Sequence, residues 1–185
     1  MINNAAREAG MQRIVAVDPG PERSAMVTLW ADNTLDVDPE IDNEKMVTRI
    51  GYEAAVIAAL ERDAVGSFIA IEDMTPYGSA LNYATIATLK WMGRFYAAAE
   101  GVARVEWITR VAVKQHLLGQ TRGTDAMVSD ALRHIFGGES SKGTKRNPGP
   151  LYAVKGHAWA ALAVAVTARG WRAENGLLVQ KEARG

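Results

Sequence analysis

Two short apolar runs in the chain each end on an acid. Ile14-Val15-Ala16-Val17 leads into Asp18 and then Pro19-Gly20-Pro21, and Phe68-Ile69-Ala70-Ile71 leads into Glu72 before a loop containing Pro76 and Gly78. Runs of this length, rich in β-branched residues and closed by Pro and Gly, read as buried strands that stop at turns. Side chains alternate along a strand, so Asp18 shares a face with Ala16 and Glu72 with Ala70, and these small neighbours leave room around each acid. If both strands lie centrally in one sheet with their carboxyl ends together, the two carboxylates are placed to hold a divalent cation between them. Taken singly, each has a plainer explanation: Asp18 as the cap of a Pro-Gly turn, Glu72 beside Asp73 as a solvated strand-end charge. The third candidate is His157, in the first turn of an Ala/Val/Leu helix and on the same face as Ala160, Ala161 and Val164. An imidazole there could ligate a metal, carry a proton or simply cap the helix. The other two histidines, His116 and His134, fall at surface-like helical positions.

The elements that must position these groups follow from periodicity. Strands are expected over 13–18, 24–30, 34–37, 68–72 and 102–108, the first three forming an antiparallel meander. Ile50, Ala54, Ile57, Ala58 and Leu60 recur at helical spacing and predict a helix over 49–62 that covers one sheet face. Further helices are expected over 82–100, with Trp91, Phe95 and Tyr96 facing the core rather than stacking on unpaired bases or forming a dimer face, and over 111–118, 125–136 with Thr124 as its cap, and 157–168, which has almost no polar face and must be buried. Gly137 to Pro150, rich in Gly, Ser, Lys and Pro, reads as an exposed, mobile basic loop. The fold class is therefore α/β: a mixed central sheet with an antiparallel meander at its N-terminus and helices on both faces.

Composition sets the outer limits. With 185 residues, 48% hydrophobic and 23% charged, the chain suits one folded domain, and no apolar run approaches the ~20 residues of a membrane span. Residues 1–12 read as an N-terminal tail, 13–170 as the domain and 171–185 as a C-terminal tail. The N-terminal stretch carries Arg7 and Glu8 and has no apolar core of a leader, so a cytoplasmic location is expected. The 21 basic and 21 acidic side chains cancel, so contact with nucleic acid must rest on local clustering. Without cysteine there is no disulfide and no thiolate, and any metal must be held by oxygen or imidazole.

The order of these parts resembles a known family. A strand Ile14-Val15-Ala16-Val17-Asp18-Pro19-Gly20, a strand ending Ile69-Ala70-Ile71-Glu72, the segment Val113-Lys114-Gln115-His116-Leu117-Leu118-Gly119 with a loop reaching Thr124-Asp125, and a last helix from His157 through Ala160 look like the RuvC family of Holliday-junction resolvases. The likeness runs from about Arg13 to Ala168. Trp91-Met92-Gly93-Arg94-Phe95 and Asn147-Pro148-Gly149-Pro150-Leu151-Tyr152 look more like phage-encoded relatives. The first motif is shared with sugar kinases and actin-like ATPases, but those need a longer chain and phosphate loops absent here.

The resemblance implies a ribonuclease-H-like nuclease domain acting as a homodimer on branched DNA, a four-way junction above all, in a bacterial or phage-infected cell. It implies two Mg2+ or Mn2+ ions per site, roughly 3.5–4 Å apart in the two-metal pattern. Asp18 matches the family's first acid, Glu72 its second, and His157 the first position of the last helix, where relatives carry Asp or His; all three would be catalytic and metal-binding. Lys114, Arg122, Lys142, Lys145, Arg146 and Lys155 lie in segments that border the family's acidic cleft and would neutralise DNA phosphates. One position departs from the pattern. Where relatives place an Asp one turn into the last helix, this chain has Ala160. An introduced substitution, a site that works with Asp18, Glu72 and His157, and a junction-binding protein that does not cut all account for it, with Asp125 a weak substitute ligand. A nuclease for RNA–DNA hybrids or flaps is the remaining alternative.

Overall fold

A computed structural model describes residues 12–60, 66–74 and 82–174. Its centre is a five-stranded sheet of β1 (Arg13–Asp18), β2 (Arg23–Trp30), β3 (Leu35–Asp42), β4 (Phe68–Asp73) and β5 (Val105–Thr109), in the order β3-β2-β1-β4-β5. β1 pairs antiparallel with β2 and β2 with β3, while β1–β4 and β4–β5 are parallel. The sheet is mixed, with the expected opening meander. The helices are α1 (Asn43–Leu60), α2 (Tyr83–Ala99), α3 (Arg110–Leu118), α4 (Asp125–Ile135) and α5 (Ala158–Glu174), with a short 3-10 turn at Gly138–Ser141. None of the described helices is long and apolar enough to cross a membrane.

Alternation along the central strands divides the core in two. Val15, Val17, Ile69 and Ile71 face α1 and α2, meeting Met46, Ile50, Ile57 and Phe95. Ile14, Ala16, Phe68, Ala70 and Ile108 face α3, α4 and α5. The last of these helices buries Ala158, Ala161 to Val166 and Ala168 completely or nearly so, and lies across β1 and β2. Each of its larger apolar side chains contributes roughly 1.5–3 kcal/mol by leaving water. Its small residues let the helix approach close enough to bring its N-terminus to the ends of β1 and β4.

Several boundaries differ from the sequence expectation, each for a tertiary reason. α1 begins six residues earlier than position 49, because β3 runs to Asp42 and Asn43 is held inside by hydrogen bonds that no local pattern shows. β3 is longer than 34–37 despite Pro39: it is the sheet edge, where a missing N–H costs no ladder bond, and the register shifts beside it. β5 starts at Val105, since Gly101 to Ala103 turn back onto the end of α2. α5 starts at Ala158 and runs to Glu174, so the tail expected from Trp171 begins as helix. Phe95 is fully buried as expected, but Trp91 and Tyr96 are only half-buried, stacked on Phe95 and Trp107. His116 is half-buried, its ring lying over Gly170 where a Cβ would collide with it.

The segment from Gly137 to Pro150 is exposed but ordered by its own backbone bonds. Gly143 N–H donates to Ser140 O, Gly149 N–H to Lys142 O, and Thr144 and Asn147 exchange N–H···O bonds of 2.9 and 3.1 Å. The turn carries Lys145 and Arg146 at its tip. Gly143 adopts φ +62°, and a Cβ there would meet the Gly149 backbone, so the tight crossing requires glycine. The mobile loop expected from composition is thus a small hairpin. The expected N-terminal tail, the loop with Pro76 and Gly78, the end of the 49–62 helix and the tail beyond Glu174 lie outside the described residues.

Candidate active site

β1 and β4 run parallel in register, Val17 opposite Ile71, so the next residues, Asp18 and Glu72, stand side by side at the carboxyl edge of the sheet. Both side chains point to the α5 face and both are buried, at 6% and 3% exposure. The chain leaves Asp18 through Pro19-Gly20, where a Cβ on Gly20 would strike the Arg23 carbonyl. A buried relay fixes this turn. Gly20 N–H donates to Ser24 Oγ at 3.2 Å, Ser24 Oγ–H to Asn43 Oδ1 at 2.6 Å, and Asn43 Nδ2 to the Gly20 carbonyl at 2.9 Å. Every polar group of the relay is satisfied by another, as burial demands. Glu72 is set by its place between β1 and β5, where it pairs with Ile108.

The two acids are within hydrogen-bond reach of one another, a contact that raises the Glu72 carboxyl and lowers that of Asp18. Burial pushes the Glu72 carboxyl up, and the adjoining Asp18 pushes it further, to about 8; Arg110 opposes this only in part. Asp18 is also raised, by burial first, with the Glu72 hydrogen bond and Arg110 pulling it down and the charge of Asp125 adding to the rise. Two like charges taken out of water in contact cannot both ionise without a cation. Arg110, the first residue of α3, places Nε 3.1 Å from Glu72 Oε1, with the arginine side chain 60% exposed and the glutamate 4%.

The acids floor a cleft of about 360 Å³ between the sheet edge, α3, α4 and the start of α5. Its walls include Arg110, Lys114, Asp125, Ser129, His157, Trp159 and Ala160. His157 precedes α5 rather than standing in its first turn: its carbonyl accepts the N–H of Ala160 and Ala161, at 3.0 and 3.2 Å. Its Nδ1 lies 3.2 Å from Asp18 Oδ2, and the imidazole is 71% exposed toward solvent. Asp18, Glu72 and His157, expected from three distant segments, therefore meet in one place. Lys114 is the one expected phosphate contact that lines the cleft; Arg122, Lys142, Lys145, Arg146 and Lys155 are exposed outside its walls.

The donor set suits a hard divalent ion of the kind that takes one or two carboxylates and completes its shell with water. Among the described residues no three His, Asp or Glu side chains are gathered tightly enough to cage an ion, so the carboxylate pair is the core of the site. Arg110 was not visible in the sequence, because its contact with Glu72 depends on β5 lying beside β4. Asn43 and Ser24 are equally hidden, because their relay forms only when β3 returns the chain to the β1–β2 turn. Asp125 could be suspected from its place at the start of α4, and it does line the cleft.

No protein-family model matches the chain, and no curated protein does. Solved structures do. The RuvC structure from Thermus thermophilus superposes with a TM-score of 0.58 at 19% identity, over 90% of this chain and 98% of that one. The same organism's RuvC in complex with Holliday junction substrate gives a TM-score of 0.50 at 20% identity, over 90% and 97%. The fold is ribonuclease-H-like, as in RuvC. The match spans nearly the whole of those chains.

Proposed function

We propose that residues 13–170 form a structure-selective endonuclease that resolves four-way or other branched DNA with Mg2+ or Mn2+, working as a homodimer in the cytoplasm of a bacterial or phage-infected cell. The observation that carries this reading is the buried Asp18–Glu72 pair at the floor of an open cleft, on a fold shared with RuvC, one of whose structures is a complex with Holliday junction substrate. Two carboxyls buried against each other on a cleft floor repel when ionised, a cost that a bound divalent ion would remove.

Each group has a task that follows from its place. Asp18 and Glu72, fixed by adjacent strands, bind the ions through oxygen. A divalent ion held there would neutralise the charge that builds on a phosphodiester as water attacks it. His157, on the cleft wall with Nδ1 3.2 Å from Asp18 Oδ2, would add an imidazole to the acids, as a further ligand or as a proton carrier. Lys114 sits on the cleft wall to hold a phosphate. Arg122, Lys142, Lys145, Arg146 and Lys155 meet the junction arms outside the cleft and set register rather than chemistry. A dimer gives two such sites, one for each of the paired cuts that a four-way junction needs.

One observation favours a second reading. Ala160 lines the cleft where the RuvC resemblance expects an acid, so the chain could bind junctions and cut them poorly or not at all. A gel assay separates the two: wild type and Ala160→Asp on a labelled four-way junction, a flap and an RNA–DNA hybrid, with Mg2+, Mn2+ or chelator. Ion-dependent paired nicking of the junction is the expected result, and a gain confined to Ala160→Asp would identify that position as the missing ligand. Tight junction binding without cleavage by either form would support the binding protein. Equal cleavage in chelator would overturn the mechanism.

A further inference from the structure

We propose that Arg110 competes with the divalent ion for Glu72 and, once the ion binds, turns to a DNA phosphate, so that ion and substrate are taken up together. The second half rests on the nuclease reading above; the first does not. Arg110 follows Thr109, which ends β5 and caps α3 by accepting the Ala112 N–H at 3.1 Å. Its backbone is therefore anchored beside Glu72. Its side chain is not: it reaches Glu72 through Nε at 3.1 Å, is 60% exposed on the cleft wall, and has no other ion pair among the described residues.

This is a poor way to hold a buried acid and a good way to guard one. Water reaches the open side of the guanidinium and competes with Glu72 for its N–H donors. The guanidinium is thus easily displaced from Glu72. While in place it offsets one negative charge of the pair, and a divalent ion arriving at the carboxylates meets a cation already there. With the ion seated, attraction to Glu72 is largely cancelled and Arg110 faces the ion's charge. A phosphate in the same cleft then becomes its best partner, since arginine's planar fork offers five N–H donors matched to phosphate oxygens. Lys114, one helical turn along α3 and also on the cleft wall, adds a second positive charge to the same side.

The test is calorimetric titration of Mn2+ into the DNA-free protein, for wild type, Arg110→Gln and Arg110→Lys, followed by binding of a four-way junction with non-hydrolysable crossover linkages, with and without Mn2+. Arg110→Gln should bind Mn2+ roughly threefold to tenfold more tightly than wild type, as a like charge a few ångströms away has been removed, and Arg110→Lys should stay near wild type. A merely structural arginine would not produce tighter ion binding when lost. In the second assay wild type should gain junction affinity with Mn2+ more than Arg110→Gln does, and the salt dependence of the variant should fall by about one phosphate contact in the presence of the ion. Unchanged or weaker Mn2+ binding by Arg110→Gln would overturn the proposal, as would Mn2+ binding by wild type that Asp18→Asn leaves intact. If wild type binds Mn2+ at the acids but shows no preference for the junction, the nuclease reading and the phosphate half fail while the competition with the ion stands.

Discussion

β1 carries a buried charge at each end, and the two ends are built to opposite rules. At its start Arg13 lies 3.3 Å from Glu53 on α1, with both side chains almost completely buried, and Arg49 adds a second cation to Glu53 at 3.2 Å. Arg13 also packs over the Trp30 ring, 5.4 Å from its centroid. One acid meets two bases, one buried and one at the surface. At the other end Asp18 meets a second acid, Glu72, and the groups beside them, Arg110 and the His157 imidazole, are both mostly in solvent. The first end sets its acid against bases, although Arg13 Nε and Nη2 and Glu53 Oε2 make no hydrogen bond there. The second is deficient in positive charge and opens into a cleft. That difference separates a charge buried for architecture from one buried for chemistry.

The largest effects should come from the deficient end. Asp18→Asn should lower junction cleavage by about a thousandfold or more, since an ion-binding carboxylate is lost, without lowering the melting temperature of the ion-free protein. Glu53→Gln should do the reverse, leaving Arg13 buried without its counter-charge and costing about 3 kcal/mol in denaturant unfolding.

The pH dependence sharpens the contrast. Glu72 titrates at about 8 in the fold against an ordinary value of 4.5, so between these values the folded chain holds a proton that the unfolded chain has released. Stability of the ion-free protein is therefore greatest near the acid end of this window and falls as pH rises toward 8. Adding Mg2+ or Mn2+ should flatten that fall, because the ion replaces the proton; a melting temperature that instead rises steadily from pH 5 to 8 without ion would break the account. Ala160→Asp should bring a further acid to the cleft and steepen the pH fall in the ion-free protein while tightening Mn2+ binding. The smallest effects belong to the exposed hairpin: Lys145→Ala and Arg146→Ala should each reduce the salt dependence of junction binding by about one unit, with no change in ion affinity.

How much of this the sequence discloses depends on the range of the interaction. Asp18 and Glu72 are legible because a β-branched run that stops on an acid fixes strand, end and face within six residues. The burial of α5 is legible because a helix with so little polar surface has no other place to go. Arg110, Ser24 and Asn43 are not, since their contacts span crossovers: Ser24 reaches Asn43 across 19 residues and Asn43 reaches Gly20 across 23. The first half of β3 is legible and its second half is not, because Asp38, Pro39 and Glu40 break the strand pattern, although an edge strand tolerates proline and gains from charge. Similarly, the Gly and Pro that suggest mobility in the 137–150 segment are what its tight hydrogen-bonded turn requires. His157 immediately precedes α5, yet it shares the cleft with Ala160, as their spacing predicts.

The most direct test of the central claim sets one buried glutamate against the other. Initial rates of four-way junction nicking would be measured for wild type, Glu72→Gln and Glu53→Gln in Mg2+, below the melting temperature of each. The account predicts that Glu72→Gln is inactive while folded and at least as stable as wild type in the ion-free state, and that Glu53→Gln cuts at a rate close to wild type despite its lower stability. Retained cleavage in Glu72→Gln, or loss of cleavage in folded Glu53→Gln to the same extent, would contradict it.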